Sequence, residues 1–363
     1  MRELLLTDLK DLARGAALLG AGGGGNPTIG RLLVESELRG GGRVTLLDPE
    51  EVADDALVIP TSMMGAPSVF IEKIPAGDEG VRALRTLETH LGRRADATMP
   101  VECGGLNSMI PLVVAARTGL PVIDADGMGR AFPELQMETF GVYGVGGSPL
   151  SLADEHGSSG LIDTGTDNQR MERYARAVTI RMGGAAQIAD YPMSGADMKR
   201  TAIPHTLSLA LRLGRAIREA REQHLDPFAA LAEALRATLY SHGRVLFTGK
   251  VVDVLRRTTD GFTHGSAWLA PMQTGPRVEL RFQNEYLVAR LGDQTAAIVP
   301  DLICTLDADT AEPITTESIR YGQRVRVFAI STPPVMRTEA ALAVFGPGAF
   351  GLKEPFVPVE TLA

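Results

Sequence analysis

The sequence predicts an α/β N-terminal domain, with a layered and mostly parallel sheet, joined by helices to a β-rich C-terminal domain built as an antiparallel barrel or sandwich. Three observations carry this. Between residues 43 and 124 short apolar runs alternate with helical stretches of ten or so residues, the pattern of parallel strands with crossover helices. Residues 204–239 read as helix with one break. From residue 243 the chain turns into closely spaced strand-like runs separated by turn signals, which is antiparallel patterning. The expected boundaries are 1–165, 166–242 and 243–363.

The elements follow in order. Thr7 can cap a first helix carrying Leu9, Leu12, Ala16 and Leu19 on one side. It ends in the glycine run of residues 20–25, and Asn26-Pro27 opens a second helix expected to bury Ile29, Leu32 and Leu33. Because helix precedes the glycines, the run is neither a dinucleotide fingerprint nor a P-loop. Two readings remain: a nest of N–H groups at Gly23 and Gly24 facing an anion or carbonyl, or a tight helix-to-helix turn. Strands are expected at 43–47, 56–60, 97–101 and 121–124, and helices at 80–91 and 108–117. Residues 139–145 and 161–162 read as further strands, 168–182 as a helix capped by Asp167, and 185–189 as a strand. Asp226-Pro227 restarts the 204–239 helix. In the β part, Asp260-Gly261, Gly292-Asp293 and Tyr321-Gly322 are the turn signals.

Composition excludes several classes. The net charge is −8 with no long Lys/Arg run, which argues against a nucleic-acid or anionic-membrane partner. Two cysteines, Cys103 and Cys304, make no disulfide framework. The N-terminal apolar stretch is interrupted by Asp8 and Asp11, unlike a signal peptide, and no apolar run approaches the ~20 residues of a membrane span. A cytoplasmic protein is expected.

Residues 101–137 hold the densest set of polar groups on an apolar frame: Glu102, Cys103, Asn107, Asp124, Asp126, Arg130 and Glu134. Asp124 and Asp126 follow an apolar strand two apart, so on a continuous strand they share a side and form a metal platform or an acid/base pair. The plainer alternative is a turn cap and a partner for Arg130. Cys103 precedes a helix, where a thiol acquires a lowered pKa and acts as a nucleophile, unless it is a small buried hydrophobe. Glu102 and Asn107 are further polar members, with Asn107 alternatively a cap. His156, in Asp154-Glu155-His156-Gly157, suits a divalent metal such as zinc or is a surface loop residue. His205, after Pro204 at a helix start, faces a cleft or is structural. Asn284, between Gln283 and Glu285, is turn chemistry or reads substrate across a domain cleft.

The chain resembles the S-methyl thiohydantoin desulfurase-like family over nearly its whole length. The resemblance rests on GAGGGGNP (20–27), ECGGLNS (102–108), LPVIDADGMGRAFPELQM (120–137), GKVVDVLRRTTDGF (249–262), FQNEYL (282–287), VPDLI (299–303), RYGQRV (320–325) and GPGAFG (346–351). It implies a hydrolase that removes sulfur from a five-membered thiohydantoin, giving a hydantoin and a thiol. The attack requires an activated water or a thiolate, and a metal-bound hydroxide is the expected nucleophile. On this reading Asp124, Asp126, His156 and His205 hold a divalent metal, expected to be zinc. His205 also carries protons, and Arg130 pairs with a substrate carboxylate or orients the aspartates. Gly23, Gly24, Asn26, Glu102, Asn107 and Asn284 bind substrate. The alternatives are a metal-free hydrolase using Cys103, or an accessory subunit of a hydantoinase-type complex. The expected partners are a small cyclic amide or thiohydantoin, and a homo-oligomer or hydantoinase-type partner.

Overall fold

The computed structural model describes residues 1–66, 69, 72, 73, 75–259 and 262–362, so the expected turn at Asp260-Gly261 lies outside the described residues. The N-terminal part is built on a mixed sheet. Its strands run Arg2–Glu3, Thr45–Leu47, Val122–Ile123, Ala97–Met99, Leu57–Gly65, Ala185–Ala189, Leu150–Ala153 and Ser159–Ile162, with Met193–Ser194 added beside Leu57–Gly65. The four strands from Thr45–Leu47 to Leu57–Gly65 are parallel, as their helical connections require. Both flanks are antiparallel, which makes the sheet mixed rather than mostly parallel. The central strand Leu57–Gly65 is apolar almost throughout because both of its faces are covered.

Helix Leu9–Leu19 packs along helix Thr206–Glu222, burying Leu12, Ala16, Leu209 and Leu213 in the largest core cluster. That long helix and Pro227–Leu235 are the two pieces of the expected broken helix, and the Asp226 side chain accepts from Phe228 N at the restart. Residues 139–145 differ from expectation: Thr139–Val142 is a short helix whose first residue donates to Gly127 O. A run this short carries too little periodicity to separate strand from helix. Strand Ala185–Ala189, in the stretch expected to be a helical bridge, pairs with the central strand of the sheet.

The C-terminal part is an eight-stranded sheet with every neighbouring pair antiparallel. It rolls on itself, so that Tyr286 and Thr305, on strands that are not neighbours, meet through their hydroxyls at 3.1 Å. Among the described residues no ladder joins its two edges, so the roll is not a closed barrel. Val251, Leu280, Ala289 and Val325 fill it. No helix among the described residues is long and apolar enough to cross a membrane.

Candidate functional site

The glycine run is where the two parts meet. Tyr286 N donates to Ala21 O at 2.9 Å and Thr316 N to Gly22 O at 2.7 Å, while Leu106 N donates to Gly24 O at 2.8 Å. The loop is thus held by the β part on one side and by the segment after strand Ala97–Met99 on the other. The fit leaves no room for side chains. A Cβ on Gly23 would stand 2.0 Å from Glu285 Oε1, and one on Gly105 would stand 2.2 Å from Gly24 O. Gly24 and Gly105 also have φ of +69° and +70°, where an L-residue is strained.

Above this junction opens a cleft of about 760 Å³, mouth included. The glycine loop (22–25), Glu102, Asn107 and Met63 line it from the N-terminal part. Thr263, Asn284, Glu285 and residues 315–317 line it from the β part. Glu102 and Glu285 are both buried. The Oε1 of Glu102 accepts from Asn107 Nδ2 at 2.7 Å, and the Oε1 of Glu285 accepts from Gly24 N at 3.2 Å. Among the described residues the Oε2 atom of each has no hydrogen-bond partner. A buried lone oxygen on a carboxyl is costly and is satisfied by a proton or an incoming group.

The two carboxyls differ in proton affinity. Burial, and next the negative charge of Glu285, push Glu102 well above the usual carboxyl range. Burial also raises Glu285, but the Arg130 charge and the Gly24 N–H pull it back to about 7. Asn107 fixes Glu102 rather than capping the next helix, since its amide also accepts from Met63 N and donates to Met63 O, at 2.7 and 3.1 Å. Asn284 lines the cleft, but its side-chain oxygen accepts from Thr263 N at 2.8 Å, and its φ of +58° is that of a turn residue. Asn26 is exposed and its side chain accepts from Thr28 N, so it starts the second helix and does not line the cleft.

The other expected site residues lie elsewhere. The strand carrying Asp124 and Asp126 is not continuous: Val122–Ile123 belongs to the central sheet, and Ala125–Asp126 pairs with Ile203–Pro204. The chain changes sheets at Asp124, so the two carboxylates do not share a face. Asp124 accepts from Ser208 N at 2.9 Å at the start of the long helix. Asp126 is fully buried and accepts from Cys103 N at 2.6 Å and Gly129 N at 3.1 Å; burial raises it to about 7. His205 is half exposed, with Nδ1 3.7 Å from Asp124 Oδ2, in a depression that shares no lining residue with the cleft. His156 is exposed in the turn before strand Ser159–Ile162, its backbone held by Asp154 Oδ1 at 3.0 Å. Asp124, Asp126, His156 and His205 therefore do not converge, and among the described residues no three His, Cys, Asp or Glu side chains form a metal-holding group.

Cys103 is wholly buried and its Sγ donates to Thr206 O at 3.2 Å. Burial, and then the Asp126 charge, push its thiol well up, opposite to what a thiolate nucleophile requires. Arg130 does not line the cleft, and among the described residues it makes no ion pair with Asp124 or Asp126. Its guanidinium is fully buried and donates to the carbonyls of Ala131, Pro300, Asp301 and Tyr286 at 3.0–3.2 Å. It ties the α/β part to the β part, and burial lowers it to about 10.

Sequence reasoning left Glu285, in FQNEYL, between turn chemistry and substrate reading across a domain cleft; the docking of the glycine loop onto it marks it as a buried carboxyl of the cleft. It passed over Glu138 and Asp190, two fully buried carboxyls whose four oxygens lack hydrogen-bond partners among the described residues. Burial raises Asp190 to about 8, and burial and then the Asp190 charge raise Glu138 strongly.

Comparison with known proteins gives two matches to one family. Residues 7–164 match the S-Me-THD-like N-terminal domain and residues 166–359 the S-Me-THD-like C-terminal domain. A crystal structure of a protein from Chromobacterium violaceum is similar over 99% of this chain and 100% of its own, at 25% identity and a TM-score of 0.83. No curated protein matches.

Proposed function

The chain belongs to the S-Me-THD-like family, and from that premise we propose that its interdomain cleft hydrolyses the exocyclic carbon–sulfur bond of an S-methyl thiohydantoin, releasing methanethiol and leaving a hydantoin. The observation that carries the reading is the pair Glu102 and Glu285: two buried carboxyls on one cleft, each with an unpartnered oxygen and with proton affinities pushed apart. Such a pair is the arrangement that divides acid and base roles between two like groups.

Glu285 is the base. Above about pH 7 it is ionised and takes a proton from water as the water oxygen bonds to the ring carbon bearing sulfur. Glu102, held protonated by burial, gives its proton to the adjacent ring nitrogen, so the tetrahedral adduct carries no full charge on the ring. The adduct then loses its hydroxyl proton back to Glu102. The carbonyl forms, the carbon–sulfur bond breaks, and the departing thiolate takes the proton held by Glu285. One water enters and one thiol leaves, with both carboxyls restored. The side chains expected to hold a divalent metal do not converge, and each of these steps uses only water and the two carboxyls.

The test is release of thiol from S-methyl-2-thiohydantoin by the purified protein, followed with a thiol-reactive dye, in wild type and in E102Q and E285Q. Turnover in wild type that falls at least about a hundredfold in both variants is expected for loss of a general acid or base. No thiol from wild type, or wild-type rates in both variants, overturns the reading.

A further inference from the structure

The inference here rests on the proposed desulfurisation and concerns which thiohydantoins the cleft accepts. Among the described residues four carboxyl side chains line the cleft: Glu102 and Glu285 at its base, and Glu134 and Glu317, which are more exposed. Among the described residues none of the four has a Lys, Arg or His nitrogen within ion-pair distance, although the chain pairs many of its other carboxylates. Among the described residues the side-chain hydrogen-bond partner of Glu134 is the amide of Gln136.

Among the described residues Arg176 is the one basic residue on the lining, and its charge is already paired with Glu172. Its Nε donates to Glu172, its Nη2 donates to Pro133 O at 3.0 Å, and its guanidinium carbon lies 4.6 Å from the Phe262 ring centre. Arg130, another nearby guanidinium, is spent on four carbonyls behind the cleft and does not line it. With Glu102 protonated, Glu134, Glu285 and Glu317 give the lining an excess of negative charge, which Arg130 behind Glu285 and Arg256 near Glu317 offset only in part. Low-dielectric walls concentrate that field within the cleft.

We propose that the cleft is specific for thiohydantoins whose ring substituent is cationic, an ammonium or guanidinium group, with Glu134 and Glu317 as the residues that recognise the charge. A carboxylate-bearing substituent would compete with Glu172 for the Arg176 guanidinium and would stand beside Glu134, Glu285 and Glu317, and a like charge there costs binding. A neutral alkyl substituent lies between the two. The ring itself is held lower, by Glu102, Glu285 and the glycine loop, so the substituent reads a separate part of the lining.

Binding and turnover are measured separately so that the two readings fail separately. Hydantoins derived from lysine, alanine and glutamate are titrated by calorimetry at pH 8 in low salt. The corresponding S-methyl thiohydantoins are assayed for thiol release. The expected order is lysine over alanine over glutamate, with at least about tenfold between the extremes and a ratio that shrinks in 0.5 M salt. In E134Q/E317Q the lysine-to-glutamate ratio falls toward one. Equal or tighter binding of the glutamate compound, or a ratio untouched by the double variant, overturns the charge assignment. Ordered binding without thiol release from any compound overturns the desulfurisation and leaves the charge assignment standing.

Discussion

The backbone N–H of Gly24 donates to the carboxylate of Glu285, 3.2 Å away and 261 residues along the chain. The glycine loop thus does find an anion, and the anion is the protein's own side chain from the opposite domain. One hydrogen bond fixes the position of the carboxyl, lowers the cost of its negative charge and closes the base of the cleft.

The proton balance of Glu285 gives a first prediction. With Glu285 titrating at about 7, kcat/KM falls on the acid side of that value, approaching tenfold per pH unit. The E285Q variant loses this limb together with its activity. A pH profile in wild type that stays flat from pH 8 to pH 5 contradicts the assignment of Glu285 as base.

Stability moves the other way. The folded-state pKa of Glu285 is raised above its unfolded value, so its contribution to stability is fully present below pH ~4.5 and is lost as pH rises through about 7. Removing the charge should therefore stabilise the protein at pH 8, by on the order of 3 kcal/mol at most, and have little effect at pH 4.5. Urea unfolding of wild type and E285Q at the two pH values checks the sign.

Gly23→Ala should disable the site without touching a polar group. Its Cβ would stand 2.0 Å from Glu285 Oε1, so either the loop or the carboxyl must move. We expect a loss of about 1–3 kcal/mol in stability and a larger proportional loss in turnover. Gly348→Ala, with nothing within 4 Å and an ordinary φ, is the control and should be neutral.

Asp124→Ala separates a helix-capping residue from a ligand. The side chain accepts from Ser208 N, so its loss should cost about 1 kcal/mol and leave thiol release near the wild-type rate. Turnover abolished in a folded D124A protein would place Asp124 in the chemistry after all.

Cys103 and Cys304 are both buried, and each thiol donates to a backbone carbonyl. Iodoacetamide should label neither in the native protein and both after denaturation, as read by mass spectrometry. Rapid native labelling of Cys103 with parallel loss of activity would revive the thiolate mechanism.

The sequence by itself determined the family, through long motifs in fixed order, and the two-part architecture, because a change from helix-separated strands to closely spaced strands is written in local periodicity. It also held most of what lines the cleft: Gly23, Gly24, Glu102, Asn107 and Asn284 all lie in those motifs. What it could not carry is which acids lose water and what they face. Asp124 and Asp126 look like a pair in the sequence, yet one switch between sheets sends one to a helix start and the other to two backbone amides. Glu285 looks like a turn residue, yet the docking of the glycine loop buries it against Gly24 and within the field of the Arg130 charge. Proton affinity depends on burial and on charges brought together from distant segments, and only the tertiary structure brings them together.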